Sequence, residues 1–453
     1  MNAKTRTNPW LWIPTLYFAE GIPYFIVNNI SVLMFAKMGV PNGEMALFTS
    51  LLYLPWTIKP FWSPFVDVIR TKRWWTIAMQ SVISVAFILL ALTLARPSVE
   101  MIREGNTPMS LFTLTLLLFV ITAFASATHD IAADGFYMLA LEEKQQSFFV
   151  GIRSTFYRLS NVFGQGVLVA IAGFLETQYE DIPRAWTITI GVAAVIFSLL
   201  TLWHIFFVPK VEKGNAIQTL SQQDKNVDSQ SILRGFAQSF ITFFTKKGVW
   251  LGIAFLLLYR LPEAFLLKMC TPFLVASRDA GGLGMSTEAV GLAYGTIGVI
   301  ALTVGGILGG IMASKIGLRR SLWPMAACMT LPCLSFVYMA ISLPSNLLII
   351  SICIAVEQFG YGFGFTAYML YMIHIAEGEF KTSHYAICTA FMALSMMLPG
   401  MVAGYLQEWL GYINFFWMVM LCCIPTLIVT LCVKRGERSE RSERSERRKK
   451  SRM

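Results

Sequence analysis

The sequence predicts an all-α membrane protein, a bundle of twelve helices arranged as two six-helix halves. Three observations predict it. First, the 453 residues are 56% hydrophobic and only 14% charged, with a mean hydropathy of +0.60; a soluble chain of this length carries about a quarter charged residues. Second, Leu, Ile, Val and Phe fill repeated blocks of about 20 residues or more, enough to cross about 30 Å of hydrocarbon as helix. Third, the chain echoes itself. Asp67-Val68-Ile69-Arg70-Thr71-Lys72-Arg73 and Ser314-Lys315-Ile316-Gly317-Leu318-Arg319-Arg320 each follow an apolar helix, with Asp67 and Ser314 in matching places 247 residues apart. Two similar halves that rock about a site held between them are the architecture of a carrier.

The spans read in order as 10–36, 45–68, 74–95, 108–140, 149–175, 184–208, 248–276, 285–313, 319–343, 345–376, 383–405 and 411–433. The first carries Glu20 and no small-residue cleavage site, so it reads as a spanning helix and not as a signal peptide. The second ends on the Asp67 loop. Residues 209–247 are polar, with Ser221-Gln222-Gln223-Asp224-Lys225, and form a linker with one amphipathic segment near 231–245. The N-terminal half is therefore 1–208 and the C-terminal half 248–433. Leu258-Tyr259 and Pro262 in the seventh span repeat Leu16-Tyr17 and Pro23 in the first, and Gly284 repeats Gly39. Gly305-Gly306, Gly309-Gly310 and Gly360, Gly362 and Gly364 lie in spans, where close helix contact explains them. Residues 434–453 repeat Glu-Arg-Ser, hold almost nothing apolar, and read as a disordered basic tail.

The net charge of +10 is not a nucleic-acid signal, because its placement follows the membrane. Of 36 Lys and Arg, 26 fall at the termini, in the linker or in loops on one side, whereas Lys37, Arg96, Arg103, Arg184 and Arg278 fall on the other. By the positive-inside rule both termini are cytoplasmic. The eight Cys are scattered through apolar blocks without ligand spacing, and no phosphate-cradling loop or nucleophile elbow is present. The sequence predicts no cofactor, no metal and no enzyme activity.

An ionisable side chain within a span costs about 2.5–3.5 kcal/mol on insertion scales, so each needs a reason. The fourth span is richest, with Ser126-Ala127-Thr128-His129-Asp130-Ile131-Ala132-Ala133-Asp134. Asp130 and Asp134, four apart, share a face. One of them binds a proton tightly unless a cation sits beside them, and an ion-pair network with Arg153 or Arg158 is the alternative. Arg260 and Glu263 stand three apart and either neutralise each other or present Arg260 to an anionic substrate. Glu20 and Glu357 are lone acids in apolar helices, the latter with Gln358, Tyr361 and Tyr368. Proton coupling is assigned to Asp130, Asp134, Glu20 and Glu263. Substrate contact is assigned to Lys59, His129, Arg158, Tyr259, Arg260, Glu357, Gln358 and Tyr361, and gating to Asp67, Arg70, Arg73, Arg319 and Arg320.

These residues carry a family resemblance. The gate loops and six-plus-six layout look like the major facilitator superfamily. More narrowly, the chain resembles the AmpG-type muropeptide permeases and the related acetyl-CoA transporters. The resemblance rests on Glu20-Gly21-Ile22-Pro23, on Leu54-Pro55-Trp56-Thr57-Ile58-Lys59-Pro60-Phe61-Trp62-Ser63-Pro64-Phe65-Val66-Asp67, and on Ser126 to Asp134. Tyr259 to Glu263, Thr271-Pro272-Phe273, Glu357 to Gly364 and Ser383-His384-Tyr385-Ala386 extend it into the second half. It implies a monomeric, proton-driven importer of N-acetylglucosaminyl-anhydromuramyl sugar, with or without peptide, in the bacterial inner membrane. It places Lys59, Asp130, Asp134, Arg260, Glu263 and Glu357 in the translocation region. The chain departs from that pattern at His129, where the family usually has Gln, and at Ser314, where an acid is expected. Gly135-Phe136-Tyr137-Met138 also lacks the Arg commonly found just after the second Asp. A carrier of another cargo (acetyl-CoA-like, oligosaccharide or siderophore-like) and a non-transporting receptor or membrane enzyme are the rival readings.

Overall fold

The computed structural model describes residues 8–94, 111–141, 143–210, 229–377 and 380–433. The tail and residues 211–228 of the linker lie outside the described residues. Ten described stretches are long and apolar enough to cross a membrane. We number the spans α1 (Pro9–Lys37), α3 (Lys72–Leu94), α4 (Leu111–Ala140), α5 (Ile152–Tyr179), α6 (Ile182–Phe207), α7 (Val249–Val275), α8 (Thr287–Ile316), α9 (Leu318–Ser342) and α10 (Leu347–Ala376). Two local breaks account for the difference from twelve. α2 is made of Asn42–Leu51 and Leu54–Val68, interrupted where Pro55, lacking an N–H, starts the second piece. The stretch Ser383–Val433 holds two spans, α11 (383–410) and α12 (412–433), divided at Gly411, whose φ of 72° is glycine territory. α12 runs back alongside α7: Tyr412 packs on Phe273 at 5.1 Å, and Thr426 Oγ1 donates to the Leu258 carbonyl at 2.8 Å. That carbonyl is free because Pro262, four residues on, has no N–H to offer it.

The outer surface carries large apolar side chains such as Leu92, Leu199, Phe206 and Leu348, each more than half exposed. Water would not tolerate so many, whereas hydrocarbon does. Basic groups mark the two ends. At the linker end, Arg73 donates to the carbonyls of Ile205 and Val208 at 2.7 and 2.9 Å, and Lys246 donates to those of Ile375 and Glu377 at 2.8 and 2.7 Å. Each cation thereby satisfies the orphan carbonyls of a helix C-terminus. A linker helix, Ser229–Phe244, lies across this end: Phe240 stacks on Phe61 of α2 at 5.6 Å, and His384 of α11 reaches the Ser239 carbonyl at 3.1 Å. At the far end, Lys37 pairs with Glu176 at 3.3 Å, and Arg278 donates to the Leu343 carbonyl.

The halves meet tightly at the far end. Asn42 Nδ2 donates to Gln407 Oε1 at 2.6 Å, the Gly43 N–H to Glu408 at 2.8 Å, and Thr287 to Glu176 at 2.5 Å. α5 and α8 each widen into a π-helical turn, Val162–Leu168 and Gly291–Gly298, and these turns face each other. A Cβ on Gly295 would sit inside the Gln165 carbonyl. Gly295→Val is therefore expected to part the halves at this end. Cross-linking between Asn42→Cys and Gln407→Cys checks it: yield falls in the Gly295→Val background, and an unchanged yield refutes the close approach.

Candidate functional site

A cavity of about 180 Å³ lies between the halves. The N-terminal half gives it Glu20 and Tyr24 of α1, Tyr53, Trp56 and Lys59 of α2, Ser126 and Asp130 of α4, and Tyr157 of α5. The C-terminal half gives Arg260 of α7 and Thr389, Met392, Ala393 and Met396 of α11. Helical spacing explains the first set: Tyr53, Trp56 and Lys59 recur every three residues, so one face of α2 meets the cavity. Tyr24 packs edge-on against Trp56 at 5.2 Å, joining α1 to α2 at the wall.

The two aspartates of α4 do share a face, and each has a cation from another helix. Lys59 Nζ lies 2.5 Å from Asp130 Oδ2, and Arg153 Nη1 lies 2.9 Å from Asp134 Oδ1. Tyr17 ties the second pair together: its hydroxyl donates to Asp134 and accepts from Arg153, both at 2.9 Å. Arg153 also lies over the rings of Tyr17 and Tyr137 at 4.6 and 5.1 Å. Glu20 is different. It is 8% exposed, makes no ion pair among the described residues, and its Oε2 is buried without a hydrogen-bond partner. Counting Asp134 and Arg153, which pair beside the cavity and do not line it, this side holds three carboxyls, Glu20, Asp130 and Asp134, against two cations. One proton balances that set.

Across the cavity, Arg260 sits where α7 is interrupted, just before Pro262. It is 5% exposed, pairs with Glu263 at 3.2 Å and donates to the Tyr361 hydroxyl at 2.9 Å. The rings of Phe365, Tyr361 and Tyr368 surround its guanidinium at 4.8, 5.6 and 5.8 Å. An aromatic cage and one carboxylate hold the fork in place with one edge toward the cavity.

Other sequence-selected residues lie elsewhere. His129 is buried against α3, its Nε2 2.9 Å from Gln80 Nε2, and Gln80 in turn meets His204 at 2.9 Å. This chain stays within the N-terminal half. Tyr259 donates to the Gly364 carbonyl at 3.0 Å and welds α7 to α10. Glu357 and Gln358 are buried together, with Gln358 donating to Glu357 at 2.8 Å and to the Tyr294 hydroxyl at 3.4 Å, behind the cavity wall. Arg158 is exposed, beside Gly306 of α8. Arg70 is exposed with its guanidinium over Trp74 at 5.8 Å; Arg320 is exposed and Arg319 half-buried at the start of α9. Arg73 is the helix cap described above. The side chain of Asp67 lies outside the described set. Sequence reasoning did not select Tyr17, Tyr24, Tyr53, Trp56 or Tyr157. The spacing of Tyr17, Glu20 and Tyr24, three and four apart, was the available signal.

Known proteins share this fold. The profile described as Major Facilitator Superfamily matches residues 15–377 and 264–452. The chain is 24% identical over 424 residues to a protein named putative transporter AmpG 4 from Rickettsia conorii, covering 92% of this chain and 94% of that one. It is also 24% identical over 423 residues to the anhydromuropeptide permease of Escherichia coli, covering 92% and 78%. Among solved structures, a POT family transporter in complex with a thioalcohol-conjugated peptide superposes with a TM-score of 0.66 at 14% identity, over 94% and 95% of the two chains. A bacterial homologue of the lysosomal transporter Spinster, inward-facing and unoccupied, gives 0.65 at 14% identity, again over 94% and 95%.

Proposed function

The chain belongs to the Major Facilitator Superfamily, and from that premise we propose that it imports an amino sugar or muropeptide together with protons. It is a transporter of the AmpG-like kind and not an enzyme. The observation that carries the coupled reading is the set of three carboxyls and two cations at and beside the wall, with Glu20 making no ion pair among the described residues. The halves are closed at the far end and the cavity lies between them, so the state is one arm of an alternating-access cycle. In this reading Glu20 takes a proton when the far end opens, and substrate binds between Lys59–Asp130 and Arg260. Both leave at the linker end. The proton makes the three-carboxyl wall neutral, so the loaded site crosses the hydrocarbon without net charge.

The cavity suits a sugar better than a polyphosphate. Its cations, Lys59 and Arg260, are already balanced by Asp130 and Glu263, while Tyr24, Tyr53, Trp56 and Tyr157 offer ring faces and hydroxyls. The excess of Lys and Arg at the linker end supports a cytoplasmic location for that end and for both termini, in a bacterial inner membrane. The test is uptake of labelled N-acetylglucosaminyl-anhydromuramic acid into proteoliposomes under an imposed pH gradient. Accumulation is expected, with collapse when an ionophore dissipates the gradient. Accumulation that survives the ionophore refutes coupling, and no uptake with or without a gradient refutes the cargo.

A further inference from the structure

Lys268 sits about 12 Å further along α7 than Arg260, toward the far end. It is 6% exposed. Its ammonium has three protons to donate, and one of them reaches Thr49 Oγ1 at 3.1 Å. The ring of Tyr53 lies 5.7 Å away. Among the described residues Lys268 makes no ion pair, whereas Lys59, Arg153 and Arg260 each hold a carboxylate. An ammonium withdrawn from water without a counter-charge costs several kcal/mol, so this one is held for a purpose.

Its surroundings show the purpose. Lys268 lines a second, small cavity of about 30 Å³ with Asn28, Asn29, Gln165, Thr271 and Tyr294. Asn28 is 4% exposed and its Oδ1 has no hydrogen-bond partner. Tyr53 and Met396 line both this cavity and the larger one, and separate them. Thr49 belongs to the N-terminal half and Lys268 to the C-terminal half, so their hydrogen bond crosses the interface that closes the far end. Gly400 of α11 packs against both Ser50 and the Lys268 side chain at the same seam. Parting of this seam would take Thr49 away from Lys268.

We propose that Lys268, with Asn28, Asn29 and Gln165, forms a second subsite that takes a carboxylate flanked by an N–H or O–H donor. The carboxylate accepts from the ammonium, and the neighbouring donor fills Asn28 Oδ1. Closure of the far end returns Thr49 to Lys268 and expels the carboxylate toward the larger cavity. A single cation suits one carboxylate and not a chain of phosphates. This subsite deepens the amino-sugar reading above, because a peptide-free muramyl group carries a lactyl carboxylate beside an acetamido N–H.

The test uses the full chain in two arms. In uptake, N-acetylglucosaminyl-anhydromuramic acid is compared with its carboxamide in wild type, Lys268→Gln and Lys268→Arg. Lys268→Gln is expected to raise half-saturation for the acid about tenfold, the worth of one charge-assisted hydrogen bond, and to leave the carboxamide unchanged. Lys268→Arg keeps the preference for the acid. Equal losses for acid and carboxamide overturn the proposal, since a structural role alone predicts them. The second arm needs no assumption about cargo. Thermal unfolding of the purified protein is followed with N-acetylmuramic acid, lactate and their amides. The acids are expected to stabilise wild type and not Lys268→Gln. If acids and amides act alike on wild type, or the acids act alike on wild type and Lys268→Gln, the subsite is refuted. If only the first arm shows no uptake, the cargo is wrong and the subsite stands on the second.

Discussion

Replacing Asp130 with Asn is expected to abolish accumulation of substrate while leaving a membrane-inserted protein. Asparagine has the shape of aspartate and none of its charge, so Lys59, 2.5 Å from Oδ2, loses its counter-ion. Breaking a buried pair from one side costs about 3–5 kcal/mol. Both side chains are 20% exposed, which places the loss near the lower end of that range. The same change alters the wall from three carboxyls and two cations to two of each. Under the proposed coupling, the wall then balances without a proton, and movement between states no longer requires one. Accumulation driven by a pH gradient should fall to the level reached without a gradient, while exchange of internal for external substrate persists. The double variant Lys59→Met with Asp130→Asn removes the stranded ammonium. It should regain thermal stability, and because its two carboxyls and one cation again need one proton, it should recover part of the gradient-driven accumulation. A single Asp130→Asn protein that accumulates like wild type removes the carboxyl wall from the mechanism.

Much of this architecture was legible in the sequence because it follows from local rules. Block length gave the spans, and Asp67 and Ser314 marked equivalent ends of α2 and α8. The second span reads as one stretch, 45–68, and its interruption at Pro55, where a missing N–H acts on its own helix, is visible only in the structure. What spacing cannot supply is the partner across space. Asp130 and Asp134 could be placed on one face of α4, but only packing shows that α2 brings Lys59 to the first and α5 brings Arg153 to the second. For the same reason His129 and Glu357, as costly in a span as Asp130, point away from the large cavity and toward Gln80 and Gln358. By sequence position alone Lys268 reads as a residue near a helix end, able to reach water along its own stem. Its burial comes from α2 and α11, which close over it from both halves.

The second large effect is expected at Arg260, and it separates folding from binding. Arg260 lies 5% exposed in its cage, and Glu263 beside it is 1% exposed. Arg260→Ala strands that carboxylate in the bundle, costing about 3–5 kcal/mol, so the variant should express poorly or unfold at markedly lower temperature. Arg260→Lys keeps the charge and the neutrality of the pair. It loses the planar fork that reaches Glu263 at 3.2 Å and Tyr361 at 2.9 Å at once. Its ammonium can serve Glu263 or the cavity, not both in fixed geometry. The Lys variant should therefore fold, with half-saturation for substrate raised about tenfold, the loss of one charged hydrogen bond. Arg260→Met combined with Glu263→Gln should fold as well as Arg260→Lys and transport far less than it, because neither charge remains buried and α7 no longer offers a donor to the cavity. Thermal unfolding in detergent read beside uptake kinetics distinguishes these outcomes. A double neutral variant that transports normally would make the pair a structural brace and move substrate recognition onto Lys59 and the aromatic wall.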